Sequence, residues 1–332
     1  MLNRTLPRIR PHELIIIAST IALMLVIRYH LNRELEPYWG FDVVTAFLEV
    51  IVMLSVIAIA VQTLLKRDRA KMRTYLRYQR RLASILDLLR HMLIIGLTIY
   101  VYTWLKIFIP LLNAKLYDQQ LYNIDNLIHL GVNPNRFLIA LFPYPWFLHF
   151  LDFEYKQYHM SVLCGVAWFL VLPSRSERSR FIGAFSMLWL VGVLLYVTFP
   201  SLGPCYTLSD DYIQVRKEMP TAAEFQALLF HHYNSIREPQ NVNEVREAIP
   251  VFGVAAFPSL HVGAQLFLAL WARKRNRIIY LIFLLFTFFT FITSLISGWH
   301  YAVDGYAGAA LALLFAWIYD RRPTRVVTPA RV

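Results

Sequence analysis

The chain consists largely of apolar segments long enough to cross a membrane, and this pattern constrains its fold more than any other feature. A helix that spans the hydrocarbon core of a bilayer needs about 20 apolar residues. Eight segments come close to this length, although the fourth and the sixth need their flanking residues to complete a crossing. They lie at about 13–31, 43–65, 88–111, 158–172, 181–199, 259–272, 278–297 and 301–319. We therefore predict an all-α, polytopic membrane helix bundle of about eight transmembrane helices.

The composition excludes a soluble protein and a nucleic-acid-binding protein. Hydrophobic residues make up 58% of the chain, whereas soluble domains contain about 45–50%. The net charge of +12 comes from basic residues that cluster between apolar segments, which is typical of a membrane protein rather than of a nucleic-acid partner. The two cysteines, Cys164 and Cys205, cannot form a disulfide framework, and their spacing fits no metal site. We predict no metal, no other cofactor and no nucleic acid partner.

The distribution of Lys and Arg predicts the orientation, because short cytoplasmic loops are enriched in these residues. With the N-terminus inside, the inner segments contain 22 of the 33 Lys and Arg residues. These segments are 1–12, 66–84, 173–180, 273–277 and 320–332, and the longer outer segments are 32–42, 112–157 and 200–258. We therefore predict that both termini are cytoplasmic. The basic loop 66–84 is predicted to contact anionic lipids of the inner leaflet.

Two histidines carry the clearest indication of chemistry. His261 lies at the outer start of the sixth segment and His300 at the outer end of the seventh, so two crossings return both to one membrane face. Asp304 follows His300 by four residues and shares its helix face. A carboxylate there can hold the imidazole in one tautomer and leave the other nitrogen free as a nucleophile. His261 is suited to protonate a leaving alkoxide. We predict His261, His300 and Asp304 as catalytic residues.

Residues 257–261 (FPSLH) and 300–304 (HYAVD) resemble the two histidine motifs of the type 2 phosphatidic acid phosphatase (PAP2) superfamily. Leu260, where most members have Gly, and residues 252–256 (FGVAA) are more similar to its inositol phosphorylceramide synthase branch. Weaker similarities to that branch lie upstream, at 117–125, 131–134 and 196–204. The resemblance covers about residues 90–320.

The resemblance implies a metal-independent transfer of a phosphoryl or phospho-head-group. His300 would be the nucleophile, Asp304 its orienting partner, and His261 the acid that then activates the acceptor. The implied architecture is a six-helix PAP2-like core to which the first two helices are an addition. The predicted units are residues 1–84, a catalytic membrane domain over 85–320, and a basic cytoplasmic tail over 321–332.

The chain also departs from the phosphatases of that superfamily. Their Lys-x6-Arg-Pro pattern before the first histidine motif is absent, and Ser294 stands where an Arg is expected six residues before the nucleophile. Because a phosphate dianion needs such cations, their absence favours a singly charged phosphodiester. The predicted substrate-binding residues are Ser259, Gly203, Ser294, Lys217 and Arg216, and Arg237 and Arg246 of the same outer loop are further candidates.

The preferred function is transfer of a phospho-head-group from a lipid donor to a lipid hydroxyl, at the periplasmic or exoplasmic face and with a bacterial inner membrane favoured. Hydrolysis of a phosphatidic-acid-like or isoprenoid phosphate is an alternative, and no residue separates the two. A transporter is a second alternative, because Glu49, Arg90 and Lys106 are uncommon charges within membrane segments. Lys106 is expected to extend outward to the membrane surface. The outer residues 221–233 are predicted to form a helix over the site.

Overall fold

The computed structural model describes residues 9–31, 36–66, 68–237, 247 and 253–320. All regular secondary structure within these ranges is helical, which confirms the predicted all-α fold. The first part of the chain forms α1 (Pro11–Val26), α2 (Gly40–Leu64), α3 (Arg69–Gln79), α4 (Leu82–Ile107), α5 (Ile109–Leu112), α6 (Asp118–Ile128), α7 (Pro134–Leu141), α8 (Pro145–Lys156) and α9 (Tyr158–Leu170). The second part forms α10 (Arg175–Thr198), α11 (Pro204–Thr207), α12 (Ile213–Glu218), α13 (Pro220–Arg237), α14 (Leu260–Ala272), α15 (Arg277–Ile296) and α16 (Ala302–Asp320).

Among the described residues, six helices are long and apolar enough to cross a membrane, which confirms a polytopic bundle. They are α1 (extended to Tyr29), α2, α4, α10, α15 and α16. The apolar helices α9 and α14 have 13 residues each and match the two segments that the sequence marks as short. Helix α14 packs against α9, α10, α15 and α16, so it lies inside the bundle.

Helices α14 and α16 cross in direct backbone contact, and this crossing brings the two histidine motifs together. A Cβ atom at Gly308 of α16 would overlap the carbonyl oxygen of Ser259, so the position requires glycine. Small residues permit such close approach between membrane helices. The backbone N–H of Ser259 donates a 2.8 Å hydrogen bond to the carbonyl oxygen of Asp304. The start of α14, which carries His261, therefore lies beside the start of α16.

The first two helices belong to the same packed core as the later ones. Ile16 of α1 and Ile51 of α2 are 1% exposed and share one hydrophobic cluster with Phe267 of α14. Helix α2 packs against α4 and α9. The predicted unit 1–84 thus contributes to the bundle that surrounds the histidines, and the predicted tail 321–332 lies outside the described residues.

The bundle has two chemically different ends. Tyr75 of the basic helix α3 donates a 3.1 Å hydrogen bond to the carbonyl oxygen of Val171, just after α9. The opposite end of α9 contacts His261, because the ring of Tyr158 lies 4.4 Å from the His261 ring. We call these the basic end and the histidine end. Over the histidine end, the segment 112–157 forms α6, α7 and α8, and the predicted helix 221–233 is part of α13.

Candidate active site

The three predicted catalytic side chains lie together at the histidine end. His261 Nδ1 lies 3.3 Å from His300 Nε2, and His300 Nδ1 lies 3.4 Å from Asp304 Oδ2. The two imidazole rings are nearly perpendicular, at 80°. His300 is 2% exposed and Asp304 is fully buried. One nitrogen of His300 therefore faces the carboxylate, while the other faces the second histidine.

Burial determines the protonation state of His300. Removal from water lowers the pKa of His300 to about 3, because burial disfavours the charged imidazolium. The ring is therefore neutral at pH 7, and Nε2 is available as a nucleophile when the proton on Nδ1 faces Asp304. A phosphoryl group that bonds to Nε2 must enter where that nitrogen now contacts His261. This places the His261 ring beside the leaving oxygen, which needs a proton.

Asp125, on α6, holds the backbone next to His300. Its two carboxylate oxygens accept 2.7 Å hydrogen bonds from the backbone N–H groups of Ala302 and Val303, at the start of α16. Burial raises the pKa of Asp125, and these two hydrogen bonds oppose that shift. A carboxylate on the free N–H groups of a helix start satisfies donors that lack helical partners. Asp125 therefore positions the helix that carries Asp304.

Two further side chains, one on α6 and one on α7, bond to the loop that carries His300. Asn135, at the start of α7, donates 2.8 and 2.9 Å hydrogen bonds to the carbonyl oxygens of Leu295 and His300. Asp118, at the start of α6, accepts a 2.8 Å bond from the N–H of Gly203 and a 3.2 Å bond from the Tyr301 hydroxyl. Asp118 and Asn135 thus connect distant segments to the loop that carries His300. The histidine motifs alone do not reveal either residue.

Tyr155 is a site residue that the sequence analysis missed. Its hydroxyl lies 2.7 Å from Nδ1 of His261, and its ring stacks on Trp299 at 6.1 Å and 12°. The hydroxyl is therefore placed to hold the His261 ring and to exchange a proton with it. A single tyrosine near the end of α8 is part of no recognisable motif, so only its position in the fold identifies it.

Three of the predicted substrate-binding residues lie close to the histidines, where each contacts or packs against neighbouring backbone. Gly203 adopts a φ of +106°, and a Cβ atom there would lie 2.6 Å from the carbonyl oxygen of Trp299. Ser259 caps α14, because its side chain accepts a bond from the N–H of Val262. The Ser294 hydroxyl bonds to the carbonyl of Phe291. These contacts support the backbone around the site, and a role in binding substrate stays a prediction.

The described basic residues among the predicted substrate-binding residues lie on α12 and α13. Arg216 donates a hydrogen bond to the carbonyl oxygen of Cys205, and Lys217 is exposed on α12. Arg237 is exposed at the end of α13, and Arg246 lies outside the described residues. Among the residues that the structure describes, the lining of the cavity next to the histidines includes none of these cations.

An apolar cavity leads from the histidines into the bundle. His261, His300 and Trp299 line its outer end. The cavity reaches the surface near His159 and Phe225, which also line it and are exposed. Side chains of α2, α4, α9 and α10 line the deeper part: Phe47, Ile51, Ile95, Leu163, Val166 and Phe185. The candidate site therefore combines the buried His300 with an adjoining apolar cavity.

No group of three or more His, Cys, Asp or Glu side chains within the described ranges is arranged to hold a metal ion. The family model of the PAP2 superfamily matches residues 119–318, which is more than half of the chain. The chain belongs to the PAP2 superfamily. Comparison with curated proteins and with solved structures gives no match.

PAP2 membership indicates a lipid enzyme of the phosphatase or phosphotransferase type. The matched range contains both histidine motifs, Tyr155 and Asp125. It begins after α4, so the helices α1, α2 and α4 that line or support the cavity lie before the shared region. The predicted catalytic residues therefore lie within the matched range, whereas part of the cavity lining precedes it.

Proposed function

We propose that the protein is a lipid phosphotransferase that works like an inositol phosphorylceramide synthase. In the first step, His300 Nε2 forms a bond to the donor phosphorus, and the bond from phosphorus to the lipid alkoxide breaks. His261, protonated while the anionic donor is bound, gives its proton to that alkoxide and becomes neutral, and Asp304 stabilises the positive charge on the His300 ring. In the second step, an acceptor hydroxyl loses its proton to His261 and attacks phosphorus, which releases His300.

The observation that carries this proposal is the burial of His300 at the end of an apolar cavity. A phosphohistidine reacts with whichever hydroxyl reaches it. A site lined by apolar side chains excludes bulk water and admits lipid chains, so it favours a lipid hydroxyl as the acceptor. The same burial strengthens the electrostatic effect of Asp304 on His300.

Hydrolysis of a lipid phosphate is the second candidate, and it uses the same first step. The opening of the cavity near His159 and Phe225 favours it, because water has a route to the site there. The transporter hypothesis has weaker support. Arg90 pairs with Glu13 of α1, and Glu49 is exposed on α2, so these two charges do not mark a path through the bundle.

The proposed location is a bacterial inner membrane, with the active site at the periplasmic face and both termini in the cytoplasm. The separation of the two ends supports this orientation, because the basic helix α3 lies at the opposite end of the bundle from the histidines. Basic loops are retained on the cytoplasmic side. The same helix is proposed to contact anionic lipids of the inner leaflet.

The test is product analysis by lipid mass spectrometry on purified wild-type and His300→Ala protein. Each receives phosphatidylinositol with ceramide or diacylglycerol and, separately, phosphatidic acid. We expect a new phospho-head-group on the acceptor lipid with the wild-type protein and none with the variant. Release of inorganic phosphate from phosphatidic acid without any transfer would instead make the protein a lipid phosphatase.

A further inference from the structure

Lys106 is directed into the bundle rather than outward as expected from the sequence. It lies near the outer end of α4, is 9% exposed and lines the cavity that reaches His261 and His300. Its ammonium group lies 5.5 Å from the ring centroids of both Tyr102 and Tyr196. Within the described part of the chain, Lys106 forms no ion pair with a carboxylate.

The charge of Lys106 calls for an anionic partner. Burial of an ammonium group is costly unless a counter-charge accompanies it, and contacts with aromatic rings compensate only partly. Among the described residues that line the cavity there is no Asp or Glu. A ligand with one negative charge would supply the missing partner, and a phosphodiester carries one such charge.

The depth of the cavity matches one leaflet of a membrane. On α4, the lining residues extend from Lys106 to Ile95. At about 1.5 Å per residue, this stretch is roughly 16 Å long. The hydrocarbon core of a bilayer is about 30 Å thick, so the apolar part of the cavity is long enough for acyl chains of the outer leaflet.

Three hydrogen-bond donors in the cavity lining lack an acceptor. The Ser186 hydroxyl and the indole N–H groups of Trp189 and Trp299 are buried and have no hydrogen-bond partner among the described residues. Buried donors are rarely left unpaired. Trp299 precedes His300 and suits a phosphate oxygen, whereas Trp189, on α10, suits an ester carbonyl oxygen of a glycerolipid.

We infer that this cavity is the binding site of the donor lipid, a diacyl phosphodiester whose phosphate is held by Lys106 beside His300. The inference rests on the proposed function and names its donor. Lys106 precedes the range matched by the PAP2 family model, so the match itself does not identify it as a binding residue. It supplies a cation near the phosphate, which the chain lacks at the Lys-x6-Arg-Pro positions.

The test measures lipid binding separately from catalysis. Purified His300→Ala protein in detergent is titrated with dioleoyl phosphatidylinositol and, as an uncharged lipid with the same chains, with dioleoylglycerol, and complexes are counted by native mass spectrometry. Adding Lys106→Met should weaken phosphatidylinositol binding by about 10-fold or more and leave dioleoylglycerol binding unchanged. Lys115→Met removes the same charge from an exposed position near the histidine end and should have no effect.

Equal affinity of the Lys106→Met protein and its parent for phosphatidylinositol would overturn the inference. Lys106→Arg keeps the charge and should retain most of the binding; a folded Arg variant that binds as weakly as the Met variant would also overturn it. The proposed function fails in a different way. If the wild-type protein transfers no head-group while phosphatidylinositol binding still depends on Lys106, only the transferase assignment is wrong.

Discussion

The two ends of the bundle differ in what certain carboxylate and amide side chains bond to: Asp125 and Asn135 at the histidine end bond to backbone, whereas Asp87, Glu177 and Asp320 at the basic end bond to arginine side chains. Asp125 and Asn135 bond to N–H or C=O groups of the segments around His300, and Asp118 accepts bonds from the N–H groups of Leu202 and Gly203 and from the Tyr301 hydroxyl. Each connects positions far apart in sequence. The loop between α15 and α16 is therefore held from several sides, as a nucleophile in a defined position requires.

At the basic end, charged side chains form ion pairs between helices. Arg178, which is fully buried, lies 2.7 Å from a carboxylate oxygen of Asp87. Arg275 bonds to Glu177 and also to Asp320, at 3.0 Å. These pairs join α4 to α10, and α10 to the ends of α14 and α16, without contact to the histidines.

The comparison shows that buried polar groups hold the backbone in place at the histidine end, whereas ion pairs join helices at the basic end. A bond to backbone fixes the path of the chain, whereas a bond between two long side chains tolerates small movements of the helices. Loss of a backbone-directed contact should therefore reduce activity, and loss of an ion pair at the basic end should reduce stability. The predictions below test this difference, beginning with the largest effect.

Replacement of the nucleophile should have the largest effect. His300→Ala is expected to reduce turnover to the background rate, because no phosphohistidine can form. Its thermal unfolding should stay close to that of the wild type, which separates lost chemistry from lost folding. Residual activity well above background would rule out His300 as the nucleophile.

Asp304→Asn should reduce turnover by about 10²–10⁴-fold, as expected when the orienting carboxylate of a histidine loses its charge. The substitution keeps the size of the side chain, so the protein should fold. The measurement is the initial rate of product formation, normalised to the folded fraction. An unchanged rate would remove Asp304 from the mechanism.

Asp125→Ala tests the backbone contacts at the histidine end. Loss of the two bonds to Ala302 and Val303 should let the start of α16 shift, and a displacement near 1 Å can cost about 100-fold in rate. The matched variant at the basic end is Glu177→Ala, which removes a partner of Arg275. It should lower the unfolding free energy by about 1 kcal/mol and leave the rate unchanged.

Initial rates and thermal unfolding of these two variants test directly whether the histidine end controls activity and the basic end controls stability. If Asp125→Ala keeps the full rate while Glu177→Ala loses activity, the two ends do not differ in the way proposed.

The last prediction concerns stability rather than activity and involves Glu154, on α8, which accepts hydrogen bonds from Thr290 and Thr293 of α15 at 3.2 and 3.1 Å. Burial raises the pKa of Glu154 from 4.5 to about 7. The folded protein therefore keeps a proton that the unfolded chain has already lost. This contribution, at most about 3 kcal/mol, is fully present below pH 4.5 and is lost as the pH rises to 7.

Glu154→Gln should remove this dependence, since an amide does not titrate. Thermal unfolding of both proteins between pH 5 and 8 is the measurement, and the wild type should lose stability relative to the variant as the pH rises. Parallel stability curves would show that Glu154 has the same pKa in the folded and unfolded protein.

Much of the fold was predictable because membrane-spanning helices are a local property of the chain. The apolar segments match the helices within a few residues, and the two segments marked as short are the 13-residue helices α9 and α14. The apolar character of α14 indicated a membrane helix, but not that other helices surround it. That position depends on its packing against α9, α10, α15 and α16.

The candidate site was also predictable from the sequence only in part. The sequence by itself placed His261 and His300 on one face, because the number of crossings between them is even, and it paired His300 with Asp304 through helical spacing. Only the tertiary structure brought Tyr155 to His261 and directed Lys106 into the cavity. These contacts join residues about 100 or more positions apart or depend on which way a side chain turns. Such relations arise from helix packing, which leaves no periodic pattern in the chain.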